Sequence, residues 1–163
     1  MNTAPILVLT TGGTIDKQYF DALSEYQISD SMIGPMLEIA RVAAPYRIAS
    51  LMGKDSLELT DQDRGQIRAA VEEAAESRIV ITHGTDTMAQ TAQALAGVEG
   101  KTIVLVGALA PARFAESDAS FNLGMAFATV QAAPPGIYIT MNGTVFDGLN
   151  VRKDRERGTF VAL

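Results

Sequence analysis

Cysteine is absent from this chain of 163 residues, and histidine occurs once, as His83. Without cysteine there is no disulfide, no thiolate nucleophile and no zinc–thiolate site. One histidine rules out a His-rich metal centre, and nothing points to an all-carboxylate site for a hard cation. Neither metal nor cofactor is therefore expected. Positive charge is also short: 13 Lys and Arg stand against 19 Asp and Glu, a net charge of −6. No basic run is longer than a mixed patch near the C-terminus, which argues against a nucleic-acid partner. No apolar run approaches the length of a membrane span, and Met1-Asn2-Thr3-Ala4-Pro5 has no basic n-region of a secretory signal. A cytoplasmic protein without membrane contact is the expectation, in keeping with the lack of cysteine. What is present is an ordinary globular composition, 47% hydrophobic and 20% charged, long enough for one domain with a real core.

Along the chain, apolar runs alternate with helical periodicity. Ile6-Leu7-Val8-Leu9 reads as a short buried strand, and Gly12-Gly13 then allow a sharp turn into Thr14. Residues 16–31 are rich in acidic and aromatic side chains without clean periodicity, so they read as a loop able to order or close over a site. An amphipathic helix follows over 33–43, with Ile33, Met36, Leu37 and Ala40 on one face and Gly34-Pro35 at its start. Residues 46–52 read as a second strand that ends at the polar cluster Gly53-Lys54-Asp55-Ser56. Thr60 and Asp63 make a helix start, with Ile67, Ala70, Val71 and Ala74 as the apolar stripe and a solvated polar face. Ile79-Val80-Ile81-Thr82, residues 102–106 and residues 136–141 supply three more strands. Helices over 88–96 and 117–131 separate them, the latter with a core face of Phe121, Leu123 or Met125, and Ala128. Asn142-Gly143 is a hairpin turn. A polar stretch, 151–157, leads to the apolar run Phe160-Val161-Ala162-Leu163, which needs either an edge of its own sheet or a neighbouring subunit. The alternation predicts an α/β domain: an open, mostly parallel sheet with helices on both faces, a flavodoxin/Rossmann-like three-layer sandwich.

Gly12-Gly13 match neither a dinucleotide fingerprint nor a phosphate loop. Hydroxyls and carboxylates instead recur at successive strand ends: Thr14, Asp55-Ser56 and Thr85-Asp86. Such ends converge in this architecture, and small polar groups beside glycine turns suit a small zwitterionic ligand. A threonine nucleophile needs a base. His83 directly precedes Gly84-Thr85-Asp86, where fixing the loop by hydrogen bonding is the favoured role. Lysine is the remaining base, and composition does not choose between Lys153 and the solvated or turn positions Lys17, Lys54 and Lys101.

Thr11-Gly12-Gly13-Thr14-Ile15, His83-Gly84-Thr85-Asp86-Thr87-Met88 and Val151-Arg152-Lys153 resemble the motifs of the bacterial-type L-asparaginases, the threonine amidohydrolases. The resemblance covers residues 1–163 as a single catalytic domain of N-terminal type, with the usual C-terminal domain absent. It implies hydrolysis of L-asparagine to L-aspartate and ammonia, with Thr14 as nucleophile and Thr85, Asp86 and Lys153 as a second threonine-centred group. Asp55, Ser56, Thr85 and Asp86 would bind substrate, and backbone N–H groups around Gly13, Thr14, Gly84 and Thr85 would form the oxyanion hole. Tyr19, or alternatively Tyr26, would be the lid tyrosine, and a homodimer or homotetramer is implied. Leu57 departs from the family pattern, standing where a polar residue follows the pocket serine, and Leu109-Ala110-Pro111 lacks the loop arginine. The other readings are a non-catalytic amino-acid-binding domain and a glutaminase or amidotransferase-type amidohydrolase.

Overall fold

The computed structural model describes residues 4–28 and 30–163. Met1-Asn2-Thr3, where no basic n-region was read, and Ser29 of the 16–31 segment lie outside the described residues. In chain order the elements are β1 (Ile6–Gly12), β2 (Lys17–Phe20), β3 (Glu25–Ile28), α1 (Ile33–Ile39), β4 (Tyr46–Lys54) and α2 (Asp61–Glu73). They continue with β5 (Arg78–Thr82), α3 (Met88–Ala94), β6 (Thr102–Val106), α4 (Ala119–Ala132), β7 (Gly136–Met141), β8 (Thr144–Asp147), β9 (Val151–Asp154) and β10 (Thr159–Ala162).

The main sheet runs β4-β1-β5-β6-β7-β8, parallel throughout except for the β7–β8 hairpin. Continuous apolar strands are required because both faces are covered. Ile6, Val8, Val80, Val104 and Val106 face α1 and α4, where Leu37, Leu123 and Phe127 meet them. Leu7, Leu9, Ile79, Ile81, Ile103 and Leu105 face the other way, onto Ile67 and Val71 of α2 and Met88 and Leu95 of α3. The result is the three-layer α/β sandwich expected. Its parallel strands follow the flavodoxin-like order 2-1-3-4-5, so the strand order reverses between β1 and β5. The crevice beyond the carboxyl ends of those two strands is where such sheets bind ligands.

Four expectations need correction. The 16–31 segment is not a loop but is largely a two-stranded hairpin, β2 paired antiparallel with β3. Its turn uses Ser24 at φ 48° rather than a glycine, so the usual turn signal is missing. On α4 the core face is Leu123, Ala126, Phe127 and Val130, while Phe121 is 64% exposed and Ala128 is also exposed. A helix that is apolar nearly all round does not reveal its buried face by periodicity. The polar face of α2 is not wholly solvated: Asp63 and Arg64 are buried, and Lys54 pairs with Asp63 at 2.8 Å. Finally, the C-terminal apolar run is partly absorbed by its own domain. Phe160 joins the core beside Phe146, and its strand β10 pairs antiparallel with β9.

Candidate active site

Parallel strands deliver their following turns to one edge of the sheet, and three of these turns touch through glycine. Gly13 has φ 87° and ψ 179°, a backbone region essentially reserved for glycine. A Cβ there would lie 2.4 Å from the Gly84 nitrogen and 2.6 Å from its Cα. A Cβ on Gly84 would in turn lie 2.5 Å from Cβ and 2.6 Å from Oγ of Ser56. The turns after β1, β4 and β5 are therefore in backbone contact, which brings Thr14, Ser56 and Thr85 to one place. Thr87 Oγ1 donates to the Ser56 carbonyl at 2.7 Å and ties two of these turns together. Gly13 N–H donates to the Lys54 carbonyl at 3.0 Å, so it is committed to the fold rather than turned to a ligand.

His83 holds the turn after β5 from beneath. It is fully buried, with Nδ1 2.7 Å from the Gly84 carbonyl and Nε2 2.7 Å from Thr91 Oγ1. A carbonyl only accepts, so Nδ1 carries the proton and Nε2 accepts from Thr91. Burial disfavours the charged ring and lowers its pKa to about 4, outweighing the Gly84 bond that favours it, while the Arg64 charge adds to the lowering. His83 is a neutral structural group.

The polar chemistry sits above. Lys153, on β9, donates through Nζ to Thr85 Oγ1 at 2.7 Å and to Asp86 Oδ1 at 2.8 Å. Its side chain is 15% exposed. The hairpin β9–β10 is anchored for this purpose by Val151 and Phe160 in the core and by Phe160 N–H on Asn142 Oδ1 at 2.8 Å. Arg155 Nε lies 3.8 Å from the same Asp86 oxygen. Asp55 accepts from Leu57 N–H at 3.1 Å and pairs with Lys17 Nζ at 2.7 Å. Burial pushes the Asp55 carboxyl up, but the Lys17 and Leu57 hydrogen bonds and the charges of Lys17 and Lys153 more than offset this. They hold it below the ordinary carboxylate range.

The hairpin β2–β3 overhangs the site from a pinned base. Asp16, buried, accepts Met32 N–H at 3.0 Å, and Arg113 donates to the carbonyls of Asp16 at 3.3 Å and Asp30 at 2.9 Å. Tyr19 and Tyr26 pack at a tilt with ring centroids 5.1 Å apart, and Tyr26 meets Phe114 edge-on at 5.8 Å. A cleft of about 250 Å³ beneath is lined by Thr14, Lys17, Tyr26, Pro111 and Phe114. A second cleft, about 610 Å³, shares Lys17 and Tyr26 and reaches Asp55 and Leu57. Of the two tyrosines, Tyr26 lines the Thr14 cleft and Tyr19 rests on it. Among the described residues no cluster of acidic and histidine side chains could hold a metal ion. No helix among them is long and apolar enough to cross a membrane.

Thr14, Ser56, Thr85, Asp86 and Lys153 are thus gathered at one edge of the sheet. Lys17, expected at a solvated or turn position, instead pairs with Asp55, and Arg113 carries no motif that marks it. Lys17 reaches Asp55 only because residues 17–28 fold back as a hairpin, and Arg113 lies on the loop after β6, with no local signal to tie it to residues 16 and 30.

Residues 5–160 match the family described as Asparaginase, N-terminal. The chain is 32% identical over 164 residues to the glutaminase-asparaginase of Pseudomonas fluorescens biotype A, covering 92% of this chain and 45% of that protein. It is 33% identical over 159 residues to the L-asparaginase of Thermococcus kodakarensis, covering 94% of this chain and 48% of that one. The solved structure of the thermostable L-asparaginase from Thermococcus kodakarensis superposes with a TM-score of 0.84 at 29% identity, over 98% of this chain and 51% of that one. The chain spans about half the length of the curated relatives it matches.

Proposed function

Since this chain belongs to the asparaginase family, through that family's N-terminal domain, we propose that it hydrolyses the side-chain amide of L-asparagine to L-aspartate and ammonia. The observation that carries the reading is the contact of Lys153 Nζ with both Thr85 Oγ1 and Asp86 Oδ1, beside a turn whose Gly13, the residue before Thr14, lies against Gly84. A threonine hydroxyl is a weak nucleophile unless a base takes its proton, and the Lys153–Thr85 pair can pass one on. In the first step Thr14 Oγ1 attacks the amide carbon, the C–N bond breaks, and ammonia leaves with the proton relayed from the threonine. In the second, Thr85 and Lys153 activate a water that cleaves the Thr14 ester and releases aspartate. Asp86 holds the substrate's α-ammonium and Ser56 its α-carboxylate. With Gly13 N–H bonded to Lys54, the N–H groups of Thr14 and Thr85 remain for the developing oxyanion. The hairpin supplies a tyrosine hydroxyl near Thr14 and excludes water during acylation. Tyr26 lines the Thr14 cleft, with Tyr19 packed on its ring.

The names of several relatives include glutaminase activity, so glutamine is the second substrate to test. The same proposal has residues 1–163 sufficing for the chemistry, in the cytoplasm, as a homodimer or homotetramer. Exposed Ile39 and Phe121 support self-association, and sedimentation velocity tests it. The decisive assay measures ammonia and aspartate released from asparagine and from glutamine. Equal molar release from asparagine is expected, with Lys153→Met reducing kcat about 10²- to 10⁴-fold, the usual contribution of a positioned proton-transfer group. Full activity in Lys153→Met would rule out its assigned role.

A further inference from the structure

We infer that Lys17 is a specificity-determining residue that binds the α-carboxylate of the substrate together with Ser56, an inference that rests on the amidohydrolase reading above. Among the described residues lining the cleft over Thr14, Lys17 is the one charged side chain; the others are Thr14, Pro111 and the rings of Tyr26 and Phe114. An anion entering there meets a single cation in an aromatic-walled cleft, where the attraction is less screened than at open surface. An ammonium carries three donors. One is spent on Asp55 Oδ2 at 2.7 Å, and the Lys17 side chain is still 25% exposed, so donors remain for a ligand.

Asp55 positions Lys17 rather than binding substrate itself. One of its oxygens accepts Leu57 N–H and the other faces the Lys17 ammonium, so both are engaged before any ligand arrives. Ser56, the neighbouring hydroxyl, is only 2% exposed and packs against Gly84, and Leu57 beside it has no side-chain polar atom. Lys17 thus supplies the cleft over Thr14 with the accessible cation that neither Ser56 nor Leu57 provides, while Glu25, Gln27 and Glu58 line the adjoining cleft. The charges then alternate around a bound zwitterion. Asp55 is followed by Lys17, then the substrate carboxylate and ammonium, then Asp86 and Lys153. Each ion sits between opposite neighbours, and removing Lys17 leaves the substrate carboxylate facing Asp55.

The consequence is a demand for a free α-carboxylate. It is tested by calorimetry with L-aspartate and with its α-amide on wild type, Lys17→Met and Lys17→Arg, alongside kcat and KM for L-asparagine. A charged hydrogen bond corresponds to about 10- to 100-fold in affinity. Lys17→Met should weaken aspartate binding by about that factor while leaving the α-amide within about twofold, which abolishes the selectivity between them. KM for asparagine should rise similarly with kcat little changed, and Lys17→Arg should restore most of the selectivity. If Lys17 only latched the hairpin, Lys17→Met would weaken both ligands equally. That result, or no change in either, overturns the inference, as would a wild type that binds neither ligand. A wild type that shows the selectivity but releases no ammonia would sink the hydrolase reading and leave the assignment of Lys17 standing.

Discussion

Replacing Gly13 by alanine tests whether the site is built by backbone contact between the turns after β1 and β5. At φ 87° and ψ 179° a non-glycine residue is strained by about 1–3 kcal/mol. The added Cβ would also sit 2.4, 2.6 and 2.9 Å from the Gly84 nitrogen, the Gly84 Cα and the His83 carbonyl carbon. All three are backbone atoms, so no side chain can rotate aside and one turn must move, at an overpacking cost of about 1–3 kcal/mol. Together these give roughly 2–6 kcal/mol, a large share of the ~5–15 kcal/mol that stabilises a typical domain. At about 2–4 °C per kcal/mol for a chain of this size, Tm should fall by roughly 5–20 °C in a thermal melt followed by circular dichroism. Gly65 is the control. It lies inside α2 with nothing within 4 Å of an added Cβ, so Gly65→Ala should stabilise by about 0.5–1 kcal/mol. A Gly13→Ala protein melting within about 1 °C of wild type would refute the contact and the convergence of turns built on it.

His83 makes stability depend on pH. Its pKa falls from 6.5 in the unfolded chain to about 4 when buried, so above 6.5 neither state is protonated and nothing is lost. Between 6.5 and 4 only the unfolded state takes the proton, and stability declines by about 3 kcal/mol across that window as the pH falls. Denaturant melts at about pH 7.5 and 4.5 should show this slope flattened in His83→Asn. An identical slope would contradict the buried neutral ring. Asp16, whose carboxyl is raised by burial, acts with the opposite sign, losing its contribution as pH rises through its pKa, so only the paired variant isolates the histidine. Tyr26→Phe should reduce kcat more than Tyr19→Phe, because Tyr26 lines the Thr14 cleft; the reverse order in steady-state assays would mean that the hairpin closes in another register. Arg113→Ala frees both feet of the hairpin, so limited proteolysis within residues 17–28 should accelerate while Tm shifts by only a few degrees. Unaltered cleavage would show that Arg113 does not hold the hairpin.

The parallel core was readable because its strands are apolar on both faces, so Ile79-Val80-Ile81 and Thr102-Ile103-Val104-Leu105-Val106 stand out without alternation. The site was readable as motifs at strand ends, since Thr14, Ser56, Thr85 and Asp86 each follow a parallel strand directly. What could not be read depended on partners distant in sequence. Lys17 faces Asp55 because a hairpin turns at Ser24, and neither a glycine nor clean alternation marks that turn. The buried face of α4 carries Asn122, whose Nδ2 donates to the Gly107 carbonyl at 3.0 Å, beside Leu123, Ala126, Phe127 and Val130, and Phe121 falls outside it. Phe160 looked in need of a partner until the β9–β10 hairpin folded it onto the core, and the same hairpin presents Lys153 to Thr85.

The proposed hydrolysis stands on Thr14 as the residue that bonds covalently to substrate. It is tested most directly by comparing initial rates of ammonia release from L-asparagine by wild type and Thr14→Ala, at equal concentrations of protein shown to be folded by circular dichroism. Wild type should release one ammonia per aspartate and Thr14→Ala should lose at least about 10³-fold in rate, because no other hydroxyl can take its place in the turn after β1. Equal rates from the two proteins would contradict it.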